Sequence, residues 1–366
     1  MPFFPGFNVC SEEIETAEII VTASRNDPTE QPVRVVETEE IVAPLLVVDV
    51  LRGMPGLAVS RSGNRGALTQ VRLRGAEANH VLVLIDGVQA DDPATGSGFD
   101  FGTLTHAGVR AISIASGPQD GLRGTDALAG IIRVDTTPRI GQASVHVGLG
   151  TEQSVDAYAD FARVNPLGHL RLTASRSASA GTNASFTGNE NDPFDTRLIN
   201  INGRRTIGNV AFTATSRATR SEVDFDPSPF PNFVPVDGNR RSDNQNTLIG
   251  VSSQWMGSKS WSPIIQLSSS RSNTTQIADG IDIESSLGTR RALAVSNTFH
   301  IGSQQLSFRA AHQVESVSRR GPPTNFGDPN VDQTSRSTNI AAHYLYRWKK
   351  ILTSAVIRYD HNSAFK

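Results

Sequence analysis

Hydrophobic and polar positions follow two different periods along this chain. In the first third the apolar residues come in short blocks. Residues 81–85 (VLVLI) form an unbroken run of the length of a fully buried strand. Asp86-Gly87 supplies a turn pair that accepts positive φ, and Val88 starts the return strand. Residues 71–75 (VRLRG) alternate apolar and basic, as a half-exposed strand does, and residues 33–40 are also strand-like. Residues 44–52 predict a helix with Pro44 near its first turn. Leu45, Val48 and Leu51 fall on one face of it, the expected core stripe. Gly53 to Gly56 end the helix, residues 57–59 return as a strand, and residues 61–66 (RSGNRG) read as a flexible polar loop.

From residue 139 onward, apolar and polar residues alternate singly. Val145, Val147 and Leu149 alternate with Ser144, His146 and Gly148; Leu170, Leu172 and Ala174 alternate with His169, Arg171 and Thr173. Alternation in segments of about ten residues marks a transmembrane β-barrel, and a soluble β-sandwich shows it too. Connector lengths separate the two. Short turns are expected at residues 166–168, 207–208, 257–260, 302–303 and 349–350, in strict alternation with longer polar loops at 178–195, 222–244, 273–286 and 318–335. Successive barrel strands cross in opposite directions, so short turns collect at one end and long loops at the other. Trp255, Phe299, Tyr344, Tyr346, Trp348 and Tyr359 fall towards strand ends, where an aromatic girdle sits, although 6% aromatic content is low for such a barrel.

Composition narrows the classes. A chain of 366 residues has room for two or more domains. Its 34 basic and 36 acidic residues leave a net charge of −2, which argues against a nucleic-acid binder. Cys10, the one cysteine, excludes an internal disulfide or a multi-cysteine metal site. It follows no charged and apolar stretch of the kind that precedes a lipid-attachment cysteine. No run approaches the ~20 apolar residues of a membrane helix, so entry into a membrane requires a closed barrel. Gly117, Gly121, Gly124 and Gly130 superficially suggest a phosphate loop, but neither Gly-Lys-Ser/Thr nor a strand-linked G-x-G-x-x-G is present. The eight histidines have no nucleophile or carboxylate partner at motif spacing, so an enzyme is not expected.

Three stretches in order, EIIVTA at residues 18–23, HVLVLIDGV at 80–88 and SGPQDGLRGTDALAGIIRV at 116–134, resemble the plug of a TonB-dependent outer-membrane transporter. The third departs from the family pattern at Ser116, Asp120, Arg123 and Arg133, where Arg, Ser, Tyr and Asn are commoner. The resemblance implies a mainly β chain: a disordered N-terminus over 1–17, a Ton box over 18–24, an α+β plug domain over 25–138 and an incomplete antiparallel transmembrane β-barrel over 139–366. It further implies that Glu18, Ile19, Ile20, Val21, Thr22 and Ala23 add as a strand to a sheet edge of TonB. Ser62, Asn64, Arg65, Ala67, Gln89, Asp91 and Asp92 are then candidate substrate contacts in plug loops, with solvated loop tips as the plain alternative. Glu190 and Asp192, with Asp195, fall where the cobalamin-transporting branch has a calcium loop, and hard carboxylate oxygens suit that ion. Pro193 stands where that loop has glycine, and a merely solvated acidic loop is the alternative.

About eleven strands are expected, against ~22 in the family's plugged barrels. At ~4.8 Å spacing and ~40° tilt, eleven strands would close to a diameter of roughly 22 Å, too narrow for a plug roughly 35 Å across. The chain therefore reads as a fragment, a plug with half its barrel, and residues 363–366 (SAFK) lack a terminal aromatic. The expected function is TonB-dependent import of a large scarce nutrient across a Gram-negative outer membrane by a monomer. Cobalamin is favoured over an iron chelate carried by a siderophore receptor. The alternative of another class is a non-transporting fragment that binds a ligand or partner.

Overall fold

The computed structural model describes residues 33–37, 46–117, 127–186, 188–229, 231–323, 327–349 and 351–364. The expected disordered N-terminus and Ton box lie outside these residues, as do residues 118–126 of the glycine-rich stretch.

The first part of the chain is a small α+β unit. Its elements are β1 (Val33–Glu37), α1 (Val47–Arg52), β2 (Leu57–Arg61), β3 (Thr69–Leu73), β4 (Val81–Ile85), β5 (Val88–Gln89), β6 (Ala111–Ser116) and β7 (Gly130–Asp135). Five of them form one sheet in the order β1-β6-β7-β4-β5, and β2 pairs with β3 apart from it. β4 runs parallel to β7, with Val81 opposite Gly130 and Ile85 opposite Val134. Parallel strands are covered on both faces, which is why residues 81–85 are all buried and read as one apolar run rather than an alternation. Asp86 and Gly87 turn the chain with φ of 48° and 80°, both in the left-handed region that a tight hairpin needs. Gly130 could not carry a side chain, because a Cβ there would lie 2.3 Å from the Ala115 carbonyl oxygen. The helix is shorter than the sequence pattern predicts and starts at Val47, whose N–H bonds to the Leu104 carbonyl at 3.0 Å. Val48 and Leu51 are fully buried in the expected stripe, while Leu45 lies outside the described residues.

Among the described residues the second part is one antiparallel sheet of eleven strands in sequential order, whose two edge strands, first and last, do not pair with each other. The strands are β8 (Gln142–Leu149), β9 (Val155–Asn165), β10 (Gly168–Ser179), β11 (Phe194–Ile207), β12 (Val210–Asp224), β13 (Arg240–Trp255), β14 (Trp261–Ala278), β15 (Ile281–Ile301), β16 (Gln304–Arg320), β17 (Val331–Trp348) and β18 (Ile351–Asn362). The expected count holds, and the architecture is an incomplete β-barrel. Its faces are inverted relative to a water-soluble protein. On β11, Thr196, Asn200 and Asn202 are buried inward, while Ile199 and Ile201 point outward at 61% and 42% exposure. Near the short turns, Trp255, Trp261, Phe299 and Phe308 form a row with ring centroids 5.0, 6.3 and 6.4 Å apart.

One expected loop is not a loop. Residues 273–286 continue β14 and β15 as a hairpin closed by Asp279-Gly280, with φ of 51° and 78°. Polarity in Asn273, Thr274, Thr275 and Gln276 reports water on the strands, not loss of the ladder, and the β-branched residues keep the chain extended. The strict alternation of short and long connections fails there. The other three loops survive in trimmed form, as residues 180–193, 225–239 and 321–330.

Polar bonds fasten the first unit to the inner face of the sheet. The Asp86 carboxylate accepts from Thr215 Oγ1 of β12 (2.8 Å) across the junction and, within the first unit, from Thr136 N (2.8 Å) and Thr136 Oγ1 (2.6 Å). Gln266 of β14 donates to the Gly87 carbonyl at 3.0 Å, and Arg171 of β10 donates to the Thr136 carbonyl at 3.3 Å. Contact is close enough that a Cβ at Gly250 would lie 2.5 Å from Val88 Cγ2. At the opposite corner Glu37 takes Arg110 (3.1 Å) and Arg139 (2.8 Å), and Arg110 also meets Asp135.

Asp86→Ala removes the acceptor of three hydrogen bonds and should cost about 3 kcal/mol. Amide hydrogen exchange over residues 81–89 reads this directly. Protection unchanged from wild type would show that the carboxylate is not the anchor.

Candidate functional site

Between the first unit and the sheet lies a half-enclosed cavity of about 470 Å³. Its floor comes from residues 62–70, the β2–β3 loop with the start of β3, and from the loop at residues 90–104, joined where Thr69 N donates to Asp100 Oδ1 at 2.9 Å. Its wall is the inner face of β12, β13 and β14, where the two-residue period brings every second side chain inward. Arg217, Thr219 and Val223 come from β12, Ser242, Asn244, Asn246 and Leu248 from β13, and Ser272, Thr274 and Gln276 from β14. The wall is thus mostly neutral hydroxyl and amide groups. The floor adds Leu68, Phe99 and Leu104, with Phe99 edge-on to buried Phe101 at 4.7 Å.

Of the candidate contacts, Ser62, Ala67 and Asp92 line this cavity. Of the other four, Asn64, Arg65 and Asp91 take partners on the sheet or its loops, and Gln89 bonds within its own loop. Asn64 donates to the Thr182 carbonyl and, at 3.3 Å, to Asp192. Arg65 pairs with Asp156 at 2.9 Å and lies over the Phe194 ring at 5.4 Å. Gln89 donates to Asp91 at 3.0 Å. Asp91 and Arg290 of β15 form a buried ion pair at 2.8 Å, each 3% exposed, and Arg290 also reaches Glu315 at 2.6 Å.

The acidic groups of the floor are shaped by burial. Burial pushes the Asp92 carboxyl up to about 6, against the opposing bond from Ala94 N and the Arg290 charge. Asp100 is likewise pushed up to about 6 by burial, against bonds from Thr69 N and Gly102 N. Asp100 and Arg217 are the charged lining groups that pattern reading missed. Asp100 caps a helical turn, a local role that resembles many others, and Arg217 is simply one inward position of a strand. The available signal was parity: the residues facing inward on each strand follow once one of them is placed.

The acidic loop residues regroup in space. Glu190 comes together with Asp226 and Asp237 of the next loop, each offering an oxygen within 4.8 Å of the others. Asp226 is 9% exposed and its Oδ2 has no hydrogen-bond partner among the described residues. Asp192 accepts from Ala184 N at 2.9 Å; burial raises its pKa, and the nearby charges of Asp226, Glu190 and Asp224 raise it further. Asp195 instead lies on β11 between Arg176 (2.6 Å) and Arg197 (3.1 Å). An orphaned buried carboxylate oxygen beside two further carboxylates fits a hard cation.

Residues 25–131 match the family described as TonB-dependent Receptor Plug Domain. Two curated relatives, both named vitamin B12 transporter BtuB and both from Vibrio vulnificus, are 31% and 35% identical over 147 and 162 residues. Those stretches cover 38% and 41% of this chain but 24% and 26% of the relatives, about a quarter of their length. Among solved structures, a copper transporter OprC superposes with a TM-score of 0.71 at 16% identity, over 94% of this chain and 56% of that one. A ferric enterobactin receptor of Pseudomonas aeruginosa gives 0.68 at 14% identity, over 92% and 59%. These structures share the plug-and-wall fold with this chain.

Two measurements test the site. Asp92 and Asp100 bind protons more tightly folded than unfolded, so their burial penalty is absent below pH ~4, where both states are protonated. The penalty grows as pH rises to about 6 and is complete above it. Protection of residues 92–103 from hydrogen exchange, corrected for intrinsic rate, should rise as pH falls from 7 to 5. The rise should vanish in Asp92→Asn/Asp100→Asn. Separately, Arg290→Met takes the guanidinium away from the buried Asp91 charge and should cost about 3–5 kcal/mol in chemical unfolding, and adding Asp91→Asn should restore most of it.

Proposed function

We propose that this chain, which carries the plug domain of the TonB-dependent receptors on an incomplete β-barrel, serves energised import of a large ligand across the outer membrane. The carrying observation is the cavity at the plug–wall junction: two plug loops form its floor, so a ligand resting there touches the part that has to move. The outward apolar face of the strands, with an aromatic row near the short turns, supports a place in a bilayer. TonB is the proposed partner, engaging Glu18 to Ala23 by strand addition. Pulling there is the proposed energy input.

Cobalamin is the favoured ligand. Its periphery is rich in neutral carboxamides, which suit the hydroxyl and amide side chains of Ser242, Asn244, Asn246, Ser272, Thr274 and Gln276. The cavity would hold only the lower part of so large a molecule. An iron chelate is the second reading, and buried Arg217 in the lining favours it, because a guanidinium suits an anionic chelate. Calcium is proposed at Glu190, Asp226 and Asp237, with Asp192 beside them. Bound there it would neutralise the clustered carboxylates and tie the loops at 180–193 and 225–239 together over the cavity.

Titrating the chain in detergent with cyanocobalamin and with a ferric siderophore decides the ligand. Cobalamin should bind, and Asn244→Leu/Thr274→Val should weaken it about tenfold, as loss of two hydrogen bonds does. Binding of the chelate alone, abolished by Arg217→Met, would transfer the assignment. In a transporter carrying this plug, Val21→Pro should abolish energised uptake and leave binding intact; uptake that persists sinks the coupling assignment. Asp226→Asn should weaken calcium binding at least tenfold.

A further inference from the structure

The outward face of the sheet carries its arginines in two different states near the end that bears the long connections. On β10–β13 every such arginine has a carboxylate: Arg176 and Arg197 share Asp195, Arg220 meets Asp243 at 2.9 Å and Glu222 at 3.2 Å, and Arg241 meets Asp224 at 2.6 Å. On β14, β15 and β17, Arg271, Arg291 and Arg336 are exposed, and no carboxylate among the described residues pairs with them. Strand register places them together. Arg291 lies opposite Val314, which lies opposite Arg336, and Arg271 lies opposite Thr289, one outward-facing position from Arg291. The adjoining row runs Leu293, His312, Thr338, His361, so two imidazoles border the guanidinium groups. At ~4.8 Å per strand the arginines span about 15 Å.

The height of this row is set by the apolar band beneath it. Outward positions below it are Leu267, Leu293, Ile340 and Ile357, exposed by 44–74%, and then the aromatic row at Trp261, Phe299 and Phe308. Arg291 precedes Phe299 by eight strand residues, about 27 Å along the strand and roughly 21 Å along the membrane normal at ~40° tilt. That is close to the ~25 Å apolar band of an outer-membrane barrel. The unpaired cations therefore stand where hydrocarbon gives way to headgroups.

We propose that Arg271, Arg291 and Arg336, bordered by His312 and His361, form a docking surface for the phosphate groups of a membrane lipid in the outward leaflet. A glycolipid bearing more than one phosphate fits best, because one headgroup can then meet two separated guanidinium groups at once. The inference rests on the reading that β8–β18 face a bilayer. Compensated β10–β13 should attract no such lipid, which gives the molecule one lipid-binding flank.

The test reconstitutes the full chain with vesicles of zwitterionic lipid, alone or doped with a bis-phosphorylated glycolipid or its dephosphorylated form, and counts retained lipid by native mass spectrometry. Wild type should retain the phosphorylated lipid selectively, and added salt should reduce retention. Arg271→Gln/Arg291→Gln/Arg336→Gln should weaken it about 100-fold, at about fivefold per arginine near a charged surface. Arg176→Gln/Arg197→Gln should leave it unchanged. Equal retention by the triple variant, or of the dephosphorylated lipid, overturns the proposal. So does displacement by millimolar inorganic phosphate, which would mark a free-anion site. A wild-type chain that associates with none of the vesicles overturns the membrane reading and this inference together, whereas association without selectivity overturns this inference alone.

Discussion

The Asp86 carboxylate ties plug to wall, accepting from Thr215 of β12 as well as from Thr136 beside it in the plug. These bonds sit at the tip of the most apolar segment of the chain, where β4 turns into β5; the Thr136 bonds close the plug on itself and the Thr215 bond crosses to the wall. The wall offers the plug a polar inner face, because its apolar side chains are turned the other way. A plug fastened to such a surface depends on hydrogen bonds and ion pairs rather than on buried hydrocarbon. Each such bond is worth little net, since water can replace either partner. An interface of this kind holds firmly while dry and loosens as water enters. The Asp91–Arg290 pair belongs to the same system, and its loss of one partner would be severe because both groups are shut away from solvent.

The cavity follows from that arrangement. Plug loops that are pinned by Asn64, Arg65 and Asp91 at their flanks leave Ser62, Ala67 and Asp92 facing the space between. Candidate contacts of one loop thus divide into fasteners and lining. The two acidic groups of the lining, Asp92 and Asp100, cost stability when ionised, so the floor is under electrostatic tension near neutral pH. A ligand that donates hydrogen bonds to them would relieve part of it.

Much of the fold was legible because it depends on local rules. The run VLVLI, the Asp86-Gly87 turn and single alternation after residue 139 each report burial or solvent one residue at a time. The eleven strands emerged from that alone. Residues 273–286 have the composition of a loop because a strand that rises out of the apolar band into water is polar on both faces. The site was less legible for a related reason. Glu190 meets Asp226 and Asp237 only because β11 and β12 return the chain to the same end of the sheet. Linear spacing favours Asp195, which Arg197 meets two residues along the same strand and Arg176 meets through the pairing of β10 with β11.

The clasp at Glu37 has a mechanical meaning. β1 is the edge strand of the plug sheet and pairs antiparallel with β6, from Val33 opposite Ala115 to Glu37 opposite Ala111. Tension arriving along the chain from its N-terminal side loads the Val33 end first. When it acts across the strands, the ladder opens like a zipper, one bond after another, at a far lower force than shearing all of them together. Under such a load Glu37 would be the last of the ladder to yield, because Arg110 and Arg139 grip the same carboxylate. Arg139 leads into the wall and Arg110 into the sheet that remains, so the clasp would act as a mechanical fuse under such a load. Yielding below its limit frees a single strand, and only a stronger pull reaches the body of the plug.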